Sequence, residues 1–176
     1  HSNRICEAIL RIWPDKSIPV VDLGCGMNYY CSVLEYAGYN AVGVDGTKLK
    51  GVDATCDITQ VNLKRILFTN YRAMYRINES AKINVLSLEV AEHLPPHLSD
   101  VYLDNVCSFG GEVILSWAVP GQAGIGHQNC RSNEWVIAEM EKRGMKYHHN
   151  KTIDLRAAVV GCHCSWFQNT LMFFER

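Results

Sequence analysis

The chain of 176 residues carries 17 Lys and Arg against 18 Asp and Glu, a formal net charge of −1. That balance excludes a domain-wide basic surface for non-specific nucleic-acid binding and leaves room only for a local patch. The length suits one domain, 1–176, with a sizeable core, and no run reaches the ~18 apolar residues of a membrane span.

No secretory leader is visible, and the chain begins at His1 rather than Met, which leaves room for a preceding segment. Eight cysteines are scattered, several of them in apolar stretches where free Cys behaves as a small hydrophobe. Only Cys162-His163-Cys164 approaches zinc spacing, and without a second pair nearby it reads as part of a packed helix. Reduced, buried thiols point to a cytoplasmic, intracellular protein.

In chain order, Asn3–Trp13 carries Ile5, Ile9, Ile12 and Trp13 at helical spacing, and Pro14 stops it. Val20–Leu23 is a short buried strand ending at Gly24. Tyr30, Val33, Leu34 and Ala37 predict a helix that stops at Gly38. Ala41–Val44 is a second strand, Ala54–Ile58 a third, and 62–77 an irregular helix. Ile83–Val90 reads as a strong strand. A helix across Leu98–Val106 follows, ending at Gly110-Gly111, and Val113–Trp117 is a fifth strand. Ser132 can cap a helix running through Trp135, Ile137 and Met140 to Gly144. Tyr147–Lys151 is expected as a strand, Asp154–Phe167 as a helix and Thr170–Phe174 as a closing strand. Such alternation predicts an α/β protein with a mostly parallel sheet, whose last strand suits an antiparallel insertion near an edge.

VVDLGCGMNYY, residues 20–30, joins a strand to a helix through a glycine turn. Gly24 and Gly26 permit a tight turn and close approach of a ligand, with helix N-terminal amides available for polar groups. Asn28 tolerates left-handed geometry at the third small position. Tight strand–helix turns also need glycine for structural reasons alone. Asp45, 23 positions after Asp22, adds a carboxylate near the about-20-residue offset at which ribose hydroxyls are bound in nucleotide-binding folds. Asp57, expected at the end of the third strand, could accept from an exocyclic amine or simply cap a helix.

VDLGCG, VGVDG, DATCDI and SLEVAEHL together resemble the first four motifs of class I S-adenosylmethionine-dependent methyltransferases, and the resemblance covers nearly the whole chain. It implies a Rossmann-like, seven-stranded, mostly parallel sheet with an antiparallel last strand and helices on both faces. It also implies an enzyme that binds S-adenosylmethionine. By that resemblance Asp22, Gly24, Gly26 and Asn28 lie on the cofactor, Gly24 and Gly26 lining its methionine moiety. Asp45 takes the ribose, Asp57 and Ile58 flank the adenine, and Glu89 belongs to the same site. Asn28 stands where the family usually has a third glycine.

Glu89, Glu92 and His93 follow the fourth strand at i, i+3 and i+4, and could converge if the chain turns helically there. E-x-x-E-H resembles the same place in ubiquinone-biosynthesis O-methyltransferases and in small-RNA 3′-terminal 2′-O-methyltransferases. In both, the resemblance implies a divalent ion on Glu89, Glu92 and His93, and the RNA group adds a histidine after the next strand, where this chain has His127. Carboxylate and imidazole suit Mg²⁺, Mn²⁺ or Fe²⁺. Many metal-free methyltransferases carry a similar pair; Glu89, His93 and His127 are then catalytic candidates, with an imidazole as base.

PGQAGIGHQNCRSNE is expected to be a flexible acceptor-binding lid, with a plain solvated loop as the alternative. Arg65, Arg72 and Arg76 interleave with Phe68, Tyr71 and Tyr75, a pattern that suits base stacking but more ordinarily marks a helix with one solvated face. The sequence therefore predicts a methyltransferase acting on the hydroxyl of a small-molecule acceptor. The alternatives are a metal-assisted RNA 2′-O-methyltransferase and a non-catalytic cofactor-binding or interaction domain.

Overall fold

Ile5, Ala8 and Ile9 bury one stripe of helix α1 (Asn3–Ile12), and Pro14 lies just beyond its end. The structure, a computed structural model, describes residues 3–176. After α1 the chain alternates between strands and helices: β1 (Val20–Leu23), α2 (Tyr29–Tyr36), β2 (Ala41–Asp45), β3 (Ala54–Thr55), α3 (Leu63–Asn70), β4 (Ile83–Ser87), α4 (Ser99–Ser108) and β5 (Gly110–Ser116). It continues with α5 (Asn133–Lys142), β6 (Lys146–Tyr147), α6 (His149–Ala158), α7 (Phe167–Thr170) and β7 (Leu171–Glu175).

These strands form one seven-stranded sheet in the order β3-β2-β1-β4-β5-β7-β6. β1 to β5 run parallel, and β7 is antiparallel to both β5 and β6. Alternate residues of each strand face opposite layers. Val21, Val42, Val85 and Val113 pack under α3, α4 and α5, whereas Val20, Ala41, Leu86 and Ile114 pack under α1, α2 and α6. With both faces covered, the central strands are mostly apolar, as is usual for parallel strands, with Asp22, Asn84 and Ser87 as buried polar exceptions. The strand order reverses between β1 and β4. Their carboxyl ends open a crevice there, the usual ligand position in such sheets.

Local signals set several boundaries. α2 closes with a Schellman pair, the Gly38 amide on the Glu35 carbonyl and the Tyr39 amide on that of Leu34. The Ser132 hydroxyl accepts from the Trp135 amide at the start of α5, as its sequence position predicts.

Other expectations are corrected. β4 ends at Ser87 rather than Val90, because Glu89 adopts φ +55° and carries the chain out of the sheet. Gly110, expected to end a helix, is the first residue of β5. β3 stops at Thr55, which leaves Asp57 in a turn, where its carboxylate accepts from the Thr59 amide and hydroxyl. The strand expected over 147–151 is mostly α6, whose first turn is capped by His148 Nδ1 accepting from the Lys151 amide. The helix expected over 154–167 ends at Ala158, so Cys162-His163-Cys164 lies in a turn.

Candidate functional site

The crevice between β1 and β4 is lined on one side by Asp22, Gly24, Cys25 and Gly26 and on the other by Leu88 and Glu89. Gly24 has φ +83°, and a Cβ there would lie 2.4 Å from Val90 Cγ2, so the turn and the segment after β4 touch directly only because that side chain is absent. The Gly26 amide donates to Asp45 Oδ2 at 2.9 Å and the Thr47 amide to Asp45 Oδ1 at 2.8 Å. Asp45 therefore sits at the end of β2, half-buried and fixed against the glycine turn. Asp22 is buried on the crevice floor, and its Oδ2 has no hydrogen-bond partner among the described residues. Burial, together with the nearby Asp45 charge, pushes its carboxyl up to about 8.

Asn28 is indeed left-handed, with φ 61°. Its side chain, however, turns from the crevice toward the loop after β2: Nδ2 donates to the Gly51 carbonyl at 2.6 Å and to Asp53 at 3.2 Å. Ile58 is buried in the core under α3, α4 and α5, and neither it nor Asp57 lines the crevice.

Glu89 lines the crevice in a backbone conformation that non-glycine residues rarely adopt. Its amide donates to Ser116 Oγ at 2.7 Å, while its carboxylate accepts from Gln122 Nε2 at 2.7 Å and from Thr170 Oγ1 at 3.3 Å. A 3₁₀ turn, Ala91–His93, then carries Glu92 inward and leaves His93 exposed. Glu92 is fully buried, and neither of its carboxylate oxygens has a hydrogen-bond partner among the described residues. Burial first, and the Glu89 charge second, raise its carboxyl to about 7.

His127 Nε2 lies 4.0 Å from Glu92 Oε1, and the His93 and His127 rings meet edge to face, 5.0 Å between centroids. One donor atom each from Glu92, His93 and His127 lie within 4.8 Å of one another, a set that could hold a divalent ion. Of the four expected ligand residues, the structure brings these three together and leaves Glu89 outside the group, its carboxylate engaged by Gln122 and Thr170.

The loop after β5 is anchored rather than free. The Gln128 and Asn129 amides both donate to the Glu92 carbonyl, at 2.9 and 3.1 Å, and buried Asn129 also reaches the Ala91 carbonyl and Ser99 Oγ. Only its tip, 123–126, is exposed throughout, with Ile125 98% accessible. The segment expected as a flexible acceptor-binding lid is thus tied down at Gln128 and Asn129.

Tyr30, Cys164, Trp166 and Phe167 complete the crevice wall and were not among the sequence candidates. Trp166 and Phe167 carry the one available signal, an aromatic pair just before the last strand. The stretch around Arg65, Arg72 and Arg76 lies elsewhere. Arg76 bonds Glu35 at 2.8 Å, and none of the three lines the crevice.

No protein-family model matches the sequence, and no curated protein matches it. Solved structures do match. The 1,6-didemethyltoxoflavin-N1-methyltransferase of Burkholderia thailandensis superposes with a TM-score of 0.62 at 11% identity, over 99% of this chain and 78% of that one. The fold is that of the S-adenosylmethionine-dependent methyltransferases. Magnesium protoporphyrin IX methyltransferase of Synechocystis PCC 6803, solved with bound S-adenosylhomocysteine, gives a TM-score of 0.61 at 15% identity, over 97% and 81% of the two chains. The small RNA methyltransferase HEN1 gives 0.63 at 15% identity over 98% of this chain, which spans a quarter of that protein's length. In this fold the glycine turn and Glu89 line the β1–β4 crevice, and Asp45 stands behind the turn, bonded to the Gly26 amide. Among the described residues no helix is long and apolar enough to cross a membrane, and no disulfide joins any of the eight cysteines.

Proposed function

We propose that residues 1–176 act as one S-adenosylmethionine-dependent methyltransferase domain that methylates a hydroxyl of a small molecule. The observation that carries this reading is the Gly26 amide held on Asp45 beside the crevice of a methyltransferase fold. Asp45 receives the ribose diol, its two oxygens having further lone pairs beyond the two amides they already accept. Gly24 and Gly26 let the methionine portion lie against backbone, and the Asp22 carboxylate on the floor faces the cationic end of the cofactor. Asn28 supports the site through the loop it braces, and Asp57 and Ile58 hold the chain that flanks the adenine.

In the transfer, the acceptor oxygen attacks the methyl carbon as the carbon–sulfur bond breaks, and S-adenosylhomocysteine leaves. Much of the rate enhancement for such an in-line displacement comes from positioning. The hydroxyl proton needs a destination. Glu92, with two buried oxygens unpartnered among the described residues, fits a cation; with His93 and His127 it would hold Mg²⁺, Mn²⁺ or Fe²⁺. Such an ion supplies the means to lower the hydroxyl pKa. Without it, the imidazole of His93 or His127 takes the proton.

Tyr30, Leu88, Trp166 and Phe167 give the cofactor crevice a largely apolar wall, and the formal net charge of −1 supports a small, uncharged acceptor over a phosphate-rich one. The three-donor cluster, together with the likeness to the RNA enzyme, supports RNA 2′-O-methylation as the second reading. The free-thiol cysteine pattern fits a reducing cytoplasm. Calorimetric titration of metal-stripped protein with S-adenosylhomocysteine tests the cofactor. Binding is expected; absence of binding overturns the enzyme and leaves an interaction domain. RNA binding that falls steeply with salt would replace the small-molecule acceptor by RNA.

A further inference from the structure

The side chain of Gln122 bonds Glu89, which lines the crevice, while its main chain meets His127 of the histidine cluster. Its position follows from a tight turn. Val119, Pro120, Gly121 and Gln122 form a β-turn closed by the Gln122 amide on the Val119 carbonyl at 3.0 Å, with Gly121 at φ +88°. Proline followed by a left-handed glycine is the signature of a type II turn, a stiff connection directly after β5. From there Gln122 Nε2 donates to Glu89 Oε2 at 2.7 Å. The Gln122 carbonyl lies 3.2 Å from His127 Nδ1. A proton on Nδ1 satisfies that carbonyl and leaves the Nε2 lone pair on the side of Glu92. The ring is confined as well, since a Cβ on Gly124 would come within 2.1 Å of His127 Nε2.

We propose that Gln122 is a positioning residue coupling the two halves of the site: its amide holds the Glu89 carboxylate at the cofactor crevice, and its carbonyl sets the tautomer and orientation of His127 beside Glu92. The inference rests on the crevice being the cofactor site. Occupancy of the crevice moves or tightens Glu89; the rigid turn passes that change to His127, which thereby responds to whether a methyl donor is present. Glu89 is a suitable sender because its backbone amide is fixed on Ser116 while its carboxylate is held by Gln122 and Thr170, so a shift of that carboxylate must be taken up by one of those two.

The test follows the ring nitrogen resonances of His127, assigned by comparison with His127→Gln, during titration of the full chain with S-adenosylhomocysteine. In the wild type, Nδ1 is expected to be the protonated nitrogen, and the His127 signals are expected to move with cofactor occupancy. In Gln122→Ala, binding weakens about fivefold, a fraction of what a hydrogen bond to a charged group is worth. The His127 response disappears although the protein remains folded. Gln122→Glu is the second variant. Its carboxyl can donate to Glu89 only when protonated, so the affinity gap to wild type narrows as pH falls from 8 to 5. A His127 signal that still follows the titration in Gln122→Ala, or a gap in Gln122→Glu that ignores pH, overturns the coupling. No binding to the wild type removes the cofactor reading and the coupling together.

Discussion

Two buried carboxylates, Asp22 and Glu92, stand on either side of the end of β4, and they are held in different ways. Asp22 belongs to a regular strand, registered against Gly43 and Leu86, and lines the crevice with one buried oxygen unpartnered among the described residues. Glu92 sits in a short 3₁₀ turn, fully buried, with both oxygens unpartnered and a histidine edge 4.0 Å away. Both are pushed toward the neutral form chiefly by burial, Asp22 to about 8 and Glu92 to about 7. A buried acid without a donor is costly. In the function proposed above the two acids take different partners: an organic cation in the open crevice for Asp22 and a divalent ion among imidazoles for Glu92.

The largest expected effect breaks the comparison on the Glu92 side. Glu92→Gln keeps the shape but removes the anionic donor at the centre of the cluster. Loss of an outer-shell partner alone typically costs up to about 100-fold in metal affinity, so loss of a direct ligand should exceed that. Calorimetry with Mn²⁺ measures it. Retained Mn²⁺ affinity would remove Glu92 from the ligand set, and cofactor affinity should be affected far less.

On the crevice side, Asp45→Ala is expected to weaken S-adenosylhomocysteine binding about 10- to 100-fold. It removes two acceptors for the ribose and also frees the Gly26 amide. Unchanged affinity in a folded variant would take Asp45 out of the ribose site and leave it as a brace for the turn.

The difference between the two acids also shows what the sequence could reveal. The β1 turn, Asp22 and Asp45 were legible because glycine chemistry and strand ends act over a few residues, and the Ser132 cap was legible for the same reason. The Glu92 environment was not. Asn129, which ties the loop to Ala91, Glu92 and Ser99, lies more than 25 residues from Ser99 in the chain. Its glycine-rich neighbourhood reads as mobile by composition while long-range hydrogen bonds hold it down. Glu89 was expected among the metal ligands through the resemblance of E-x-x-E-H to metal-dependent methyltransferases, yet its left-handed backbone aims it at Gln122 and Thr170. Trp166 reached the crevice wall only because the helix expected through 167 stops at Ala158 and the chain turns back.

A third prediction sharpens the Asp22 side through pH. S-adenosylmethionine is cationic at sulfur, so it favours the ionised Asp22 carboxylate. With that carboxyl near 8 in the free protein, binding below pH 8 must expel its proton. Affinity should rise by up to about tenfold per pH unit between 6 and 8 and level off above. Calorimetry in buffers of different ionisation enthalpy would register the released proton. A flat profile, or one unchanged in Asp22→Asn, would mean that Asp22 does not face the cationic end.

The smallest effect concerns the fold without ligand. Asp22 has a raised folded-state pKa, so the stabilising contribution of its neutral form is complete below its unfolded value, near 3.9, and is lost as pH climbs toward about 8. Ligand-free wild type should therefore lose urea resistance across that window more than Asp22→Asn, whose amide stays neutral at every pH. Glu92 loses stability over the same range for the same reason, so Asp22→Asn removes only part of the slope and Asp22→Asn/Glu92→Gln removes more. If Asp22→Asn alone flattens the profile, Glu92 contributes no slope of its own in the ligand-free protein.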